Sequence, residues 1–196
     1  MLKVGITGGI GAGKTTVCRL FELLNIPVYY ADDRAKALMM EDEDLVNQIK
    51  ALLGDQAYFE DGSLNKKYIS SIVFQNKGKL ALLNALVHPA VAKDSQKWFK
   101  NLKNAPFALK EAALLFEAGS YKDLDQIITV AAPLELRIER VMMRDNLPRD
   151  AVLSRINKQM PQEDKIKQSD FVINNGPQDS LIQQVIEIRN ILRLLP

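Results

Sequence analysis

The sequence holds a single cysteine, Cys18, and a single histidine, His88, among 196 residues. One thiol excludes an intramolecular disulfide and a cysteine-built metal cluster. Cys18 lies on the apolar side of the first predicted helix, where a free cysteine packs as a small hydrophobe. No apolar run approaches the roughly 18 residues that a membrane helix needs. An excess of one charge is missing as well. The 26 basic and 24 acidic residues leave a net charge of +2, which gives no bulk attraction to nucleic acid or to a membrane surface. Met1 to Ile6 run straight into a strand pattern with no signal-peptide layout, so a reducing, cytoplasmic setting is expected.

What is present has the balance of a globular protein, 47% hydrophobic and 26% charged. The length suits one sizeable core with small excursions from it. Residues 2–7 read as a short buried strand that leads into a glycine-rich turn. Val17, Leu20, Phe21 and Leu24 then recur at helical spacing, and Pro27 to Tyr30 read as a second strand ending at Ala31-Asp32. This β-loop-α-β opening implies a parallel sheet.

From Asp33 to about Asn104 helical periods dominate: 35–40, 45–53, 68–74 and 79–102, interrupted only by the Asp61-Gly62 turn. Seventy residues of mostly helix exceed a simple crossover, so an inserted helical subdomain is expected over 33–104. Strands resume at 106–112 and 126–131. A helix follows from Pro133 to Asp145, a second begins near Pro148, and Pro161 breaks the chain again. Residues 171–174 read as a last strand, and Ile182, Val185, Ile186, Ile188 and Leu192 mark a closing amphipathic helix. The expected fold is α/β: a five-stranded parallel sheet flanked by helices, in one domain. Its core is 1–32, 105–135 and 165–196, with a helical excursion at 136–164.

The strongest motif is Gly8-Gly9-Ile10-Gly11-Ala12-Gly13-Lys14-Thr15, which satisfies G-x-x-x-x-G-K-[ST] in full. Glycines let the backbone curl until successive N–H groups point at phosphate oxygens. The helix starting near Lys14 adds its positive end to the same spot. Lys14 suits the β- and γ-phosphates, and the Thr15 hydroxyl suits Mg²⁺. Thr16 continues the first turn near the α-phosphate. Gly11, Ala12, Gly13, Lys14, Thr15 and Thr16 are therefore the expected ATP-binding residues. By chance the motif recurs on the order of once per hundred chains of this length, and the flanking strand and helix lower that further.

A phosphate loop alone does not separate kinases from GTPases or motors. Asp32 comes just past strand two, at the sheet edge where ligands of parallel sheets bind. It reads equally as a group that takes a proton or organises Mg²⁺, and as the N-cap of a helix beginning at Arg34. Asp33 serves equally well as that cap. Arg137, Arg140 and Arg144 fall at i, i+3 and i+7, which reads either as a solvated flank or as a set of lid cations. Arg149 and Arg155 follow beyond Pro148. A helical hairpin over 136–164 would place Arg140 and Arg144 over bound phosphates. No N-K-x-D guanine signature is present. No apolar run ends in a clear Walker B aspartate either, and Glu111 and Glu117 are the nearest acidic candidates.

In this order and at these distances, the motifs resemble the dephospho-CoA kinase family over nearly the whole chain. Similar are Thr7-Gly8-Gly9-Ile10-Gly11 in the phosphate loop, Ala31-Asp32, Phe59-x-Asp61-Gly62-x-Leu64, Ile72-Val73-Phe74 and His88-Pro89. So are Leu114-Leu115-Phe116-Glu117, the Arg140/Arg144 pair, Gln159, and Ser169-Asp170-Phe171-Val172-Ile173-x-Asn175-Gly176. The resemblance implies a P-loop NTPase fold and transfer of a phosphoryl group from MgATP to the ribose 3′-hydroxyl of dephospho-CoA, the last step of coenzyme A synthesis. It implies Asp32 as base or hydroxyl-orienting residue, with Lys14 and Arg140 beside it in catalysis and Arg144 on ATP. Residues 33–104 become the acceptor-binding subdomain, with Asp32, His88 and Glu117 as acceptor contacts, and 136–164 the lid. The partners expected are the two small-molecule substrates, with no nucleic acid and no membrane, in a monomer or weak homo-oligomer.

The sequence also departs from the family pattern. Tyr30-Ala31-Asp32 stands where Asp-Ala-Asp is common, Lys36 where arginine is frequent, and Ala113 where proline is usual. Two other readings stay open at this point, a nucleoside or nucleoside-monophosphate kinase and an ATP-binding regulatory module without transfer.

Overall fold

The computed structural model describes residues 1–103 and 105–195; Asn104, Pro196 and the side chain of Phe74 lie outside the described residues. The expected motif at 72–74 and the expected boundary at 104 thus fall partly outside them. Five strands form one sheet: β1 (Leu2–Thr7), β2 (Val28–Tyr30), β3 (Phe107–Glu111), β4 (Gln126–Ala131) and β5 (Phe171–Asn174). Their order is β2-β3-β1-β4-β5, and every neighbouring pair is parallel. The α/β parallel sheet read from the sequence is the fold observed.

The chain divides into two compact units, Met1–Tyr30 with Asn101–Pro196, and Ala31–Lys100. In the first unit, alternation along the strands turns Val4, Ile6, Phe107, Leu109, Ile128, Val130 and Ile173 to one face of the sheet. Helix α1 (Lys14–Leu23) covers that face with Val17, Cys18 and Phe21, and α9 (Leu181–Leu192) with Val185, Ile188 and Leu192. Phe21 meets Phe107 edge-on, with centroids 6.2 Å apart. Burial pushes the Cys18 thiol well above its ordinary pKa, with Glu111 and Glu22 adding to the shift and Lys14 opposing it. It is an inert core residue, as expected.

On the other face a Cβ at Gly5 would meet the Leu124 and Leu115 side chains at 2.7 and 2.8 Å, so the segment after β3 packs directly on β1. Helices α6 (Leu134–Asp145) and α7 (Arg149–Ile156) form a hairpin with a small core of its own, Ile138, Val141 and Val152. Asn146 closes α6 at φ 51°. A further helix, α8 (Gln162–Lys167), follows Pro161, where the sequence reading saw only a break. Its six residues are too few for a period to show.

The second unit holds α2 (Ala31–Glu41), α3 (Glu43–Leu53), α4 (Lys66–Gln75) and α5 (Lys77–Asn101). Asp42 caps α3 by accepting from Leu45 N at 3.1 Å, and Asn65 caps α4 by accepting from Tyr68 N at 3.1 Å. Arg34 Nε and Nη2 each donate to Asp94 at 3.1 Å, tying α2 to α5. The Tyr58 hydroxyl donates to Met39 O at 2.7 Å. Helix α2 begins at Ala31, directly at the end of β2 and three residues before the expected start. Neither Asp32 nor Asp33 is therefore an N-cap. Both lie in the first turn, where carboxylates favour the positive helix end.

Candidate active site

The loop between β1 and α1 is built so that its carbonyls are taken up. Gly8 O accepts from Lys14 Nζ at 2.9 Å and Gly9 O from Ala12 N at 3.0 Å. Ile10 O accepts from Arg137 Nε at 3.0 Å, and Gly11 O from Arg140 Nη1 at 3.5 Å. Ala12 O accepts from Asn175 Nδ2 at 2.8 Å, and Gly13 O from Val17 N at 3.2 Å. With the acceptors engaged, the loop has donors left to offer, which is the requirement of an anion site.

The head of α1 carries the same message. No side chain caps it; α6, α7 and α8 also lack one but follow prolines, whereas Asp42, Asn65 and Ser180 cap α3, α4 and α9. Its N-cap is Gly13 at φ 96°, a left-handed conformation that a side chain rarely adopts. The orphan N–H groups of the first turn are thus open to a phosphate. Thr15 and Thr16 are exposed on that turn, and Ala12 is fully buried beneath it.

Around the loop stand residues from three later segments. Arg137 is only 5% exposed, and besides Ile10 O it reaches Gln162 Oε1 at 3.5 Å. Burial pulls its pKa below the ordinary arginine value, against the field of Glu163. Gln159 Oε1 accepts from Ile10 N at 2.9 Å. Arg140 Nη2 donates to Asn175 O at 3.3 Å and Oδ1 at 3.4 Å. Asn175 itself is fixed by its N–H on Ala131 O at 2.7 Å, one residue past the end of β5.

Of the expected lid pair, the structure brings Arg140 to the loop and leaves Arg144 elsewhere. Arg144 lies in the last turn of α6, bound through Nε to Asp145 at 2.7 Å, and Arg155 binds the same carboxylate at 3.1 Å. The Asp145 hydrogen bond raises the Arg144 pKa and holds that of Asp145 low.

Glu117 is not an open carboxylate. It pairs with Lys165 Nζ at 2.9 Å and accepts from Met160 N at 2.8 Å. Lys165 is fully buried and also donates to Ala113 O at 2.9 Å. Burial works to raise the Glu117 pKa, but the Lys165 and Met160 hydrogen bonds outweigh it and hold the carboxyl below its ordinary value. Glu111 is buried at the end of β3, in register with Ile6 of β1 and Tyr30 of β2. In the other unit, Asp32 is exposed in the first turn of α2 without a side-chain partner among the described residues. His88 is exposed on α5, next to Pro89 inside that helix.

The family model for dephospho-CoA kinase matches residues 2–180. The chain belongs to the dephospho-CoA kinase family. It is 35% identical over 187 residues to the dephospho-CoA kinase of Bacteroides fragilis, covering 95% of this chain and 91% of that one. The solved dephospho-CoA kinase of Campylobacter jejuni is 26% identical, with a TM-score of 0.72 over 97% of this chain and 96% of that one. A solved Thermus thermophilus protein is 33% identical and superposes with a TM-score of 0.86, over 100% and 98% of the two chains.

Within this family frame, the residues that sequence reasoning left without a role are Arg137, Gln159, Gln162 and Asn175. Gln159 and Asn175 stood in matched motifs, and Arg137 in the arginine stripe. The i, i+3 spacing of Arg137 and Arg140 was the available signal. Charge alone assigned that stripe to solvent or to a lid, and burial against Gly9 is a tertiary fact that no local pattern carries.

Proposed function

We propose that this protein transfers the γ-phosphoryl group of ATP to the 3′-hydroxyl of dephospho-CoA, giving coenzyme A and ADP in a reducing cytoplasm. The observation that carries the reading is the uncapped head of α1 below a loop whose carbonyls from Gly8 to Gly13 are all engaged. Such a cradle is preorganised for a polyphosphate and costs no reorganisation as charge shifts during transfer. Family membership gives the acceptor.

Lys14 serves the β- and γ-phosphates, and Arg140 supplies a second cation beside the loop. The chain leaves β2 at the sheet edge from which β1 leads into the loop, and Asp32 follows two residues later. We assign Asp32 to accept or orient the proton of the acceptor hydroxyl. The 3′-oxygen attacks the γ-phosphorus in line, the bond from that phosphorus to the β–γ bridging oxygen breaks, and ADP leaves with the electron pair. No covalent enzyme intermediate is needed.

Among the described residues no group of three or more His, Cys, Asp or Glu side chains is placed to hold a metal ion by itself. That donor set fits a Mg²⁺ held mainly by phosphate oxygens and water, with Thr15 as the protein ligand. The ion would neutralise charge on the β- and γ-phosphates.

Residues 33–104 are assigned to the acceptor, with His88 as one contact, and 136–164 to a lid. Arg144 reaches a phosphate only when its pair with Asp145 opens. Glu117 reaches the acceptor only at the cost of its pair with Lys165. A monomer or weak homo-oligomer suffices for this site, and no helix among the described residues is long and apolar enough to cross a membrane.

The test is ADP release measured with dephospho-CoA, AMP, CMP, adenosine and shikimate as acceptors. Release should depend on dephospho-CoA and exceed that with every other acceptor. Equal or faster release with AMP or CMP would replace this reading by a nucleoside-monophosphate kinase. ATP binding without acceptor-dependent release would leave a regulatory module.

A further inference from the structure

Ile10, at the tip of the phosphate loop, has both of its backbone groups held by the segment that also forms the α6–α7 hairpin. Its N–H donates to Gln159 Oε1 at 2.9 Å, and its carbonyl accepts from Arg137 Nε at 3.0 Å. Its side chain packs against the hairpin core of Ile138, Val141 and Val152. Arg137 is buried to 5% exposure, unlike Arg144 two turns later, whose side chain is 62% exposed. A guanidinium is rarely withdrawn from water without a specific use.

Gly9 shows what that use requires. A Cβ built at Gly9 would collide with the Arg137 guanidinium, and no other residue is among its nearest contacts. The backbone of Gly9 is not among the positive-φ positions of the chain. A side chain at 9 therefore requires the seated guanidinium to move, and backbone strain is not what disfavours it.

We propose that Arg137 is a positioning residue that fixes the phosphate loop in its anion-binding form through Ile10, and that Gly9 is glycine in order to admit it. Arg137 points its guanidinium at Ile10 O and Gln162 Oε1, so it acts on bound phosphate through the loop. Gln159 holds the amide on the other side of the same residue. This inference rests on the loop being the ATP cradle, and its tests use ATP binding to the free enzyme, which needs no acceptor.

Titration of ATP into wild-type protein comes first; failure there would remove the cradle reading itself. Given binding by wild type, Arg137→Ala should weaken ATP on the order of tenfold, the scale of a lost hydrogen bond to a charged group. KM for dephospho-CoA should stay within about twofold, because uniform loss of one ligand's binding leaves the other's unchanged. Amide exchange in the peptide covering residues 8–13 should quicken. Arg137→Lys should recover only part of the loss, since an ammonium lacks the fork that spans Ile10 and Gln162.

The decisive measurement is a cycle with Gly9→Ala. The alanine should weaken ATP binding in wild type and add almost nothing in the Arg137→Ala background. Equal penalties in both backgrounds would overturn the proposal, as would a lowered melting temperature with unchanged ATP affinity. Where Arg137→Ala does not fold, Gln159→Ala decides. It should weaken ATP in the same direction by a smaller factor, and an unchanged ATP affinity there would overturn the proposal.

Discussion

The segments that follow β1 and β2 leave the same edge of one parallel sheet, with β3 between the two strands, yet they are held very differently. After β1, every carbonyl from Gly8 to Gly13 has a donor, and four side chains from distant segments fasten the loop. After β2, the first turn of α2 presents Asp32 exposed and without a side-chain partner among the described residues, and Asp33 pairs only along its own helix with Lys36. A polyphosphate cradle gains from rigidity, because dipoles already in place need not reorganise as charge develops. A carboxylate that must meet a hydroxyl gains from having no competing cation to hold it.

Removing the cradle's charge should give the largest effect. Lys14→Ala is expected to lower kcat on the order of 10³-fold, since it takes away a preorganised positive group where charge develops. Steady-state rates with saturating ATP and dephospho-CoA read it, and a loss under tenfold would show the loop acting through backbone alone.

The open segment should respond in turnover alone, and by less. Asp32→Asn is expected to lower kcat roughly 10²-fold, at the lower end of general-base effects, with ATP affinity within about twofold. ATP titration beside initial rates separates the two quantities. A variant with unchanged turnover removes Asp32 from the chemistry, and one that loses ATP affinity instead makes both segments parts of a single nucleotide site.

The Glu117–Lys165 pair, whose carboxylate also holds Met160 N next to Gln159, comes next. Lys165 is fully buried and Glu117 23% exposed, so Glu117→Gln strands a buried ammonium. The expected cost is about 3 kcal/mol, or a melting temperature lower by roughly 6–12 °C. The folded pKa of Glu117 lies below its ordinary value of 4.5. Its contribution is therefore full above the unfolded pKa and lost as pH falls through the folded one. The wild-type advantage over Glu117→Gln should be constant near neutrality and vanish in acid. A gap that persists there would assign the loss to packing.

These contrasts also mark what the residues could and could not tell. Strands β1, β4 and β5 were legible to the residue, since each is an apolar run bounded by turn signals, and the parallel sheet followed from the β-loop-α-β opening. The phosphate loop was legible because its glycines and Lys14 are a local pattern with a local cause. The start of α2 was misplaced by three residues because Asp32-Asp33 looks like a capping pair, whereas the helix springs directly from β2 with both carboxylates in its first turn. Arg137 and Arg144 share one helical stripe and differ only in what lies opposite: Gly9 and Ile10 for one, Asp145 for the other. The partnership of Glu117 with Lys165, 48 positions away, was out of reach for the same reason.

Tyr30 gives the smallest and most particular test, because it stands between the two segments in the chain, where family members commonly carry an aspartate. Burial pushes its pKa up first, and the charges of Cys18, Glu22 and Glu111 around it add to the shift, which favours the protonated phenol. Tyr30→Phe removes the hydroxyl and should change stability by less than about 1 kcal/mol at neutral pH. A tyrosine whose folded pKa is raised stabilises fully below its unfolded pKa, and the contribution is lost as pH rises toward the folded value. In denaturant melts the wild type should therefore lose stability relative to the variant from about pH 10 upward, where an unfolded tyrosine begins to ionise. A gap that stays flat across that range would mean that ring packing alone holds residue 30. A relative loss would show that the departure from aspartate has put a phenol that folds in its neutral form at this position.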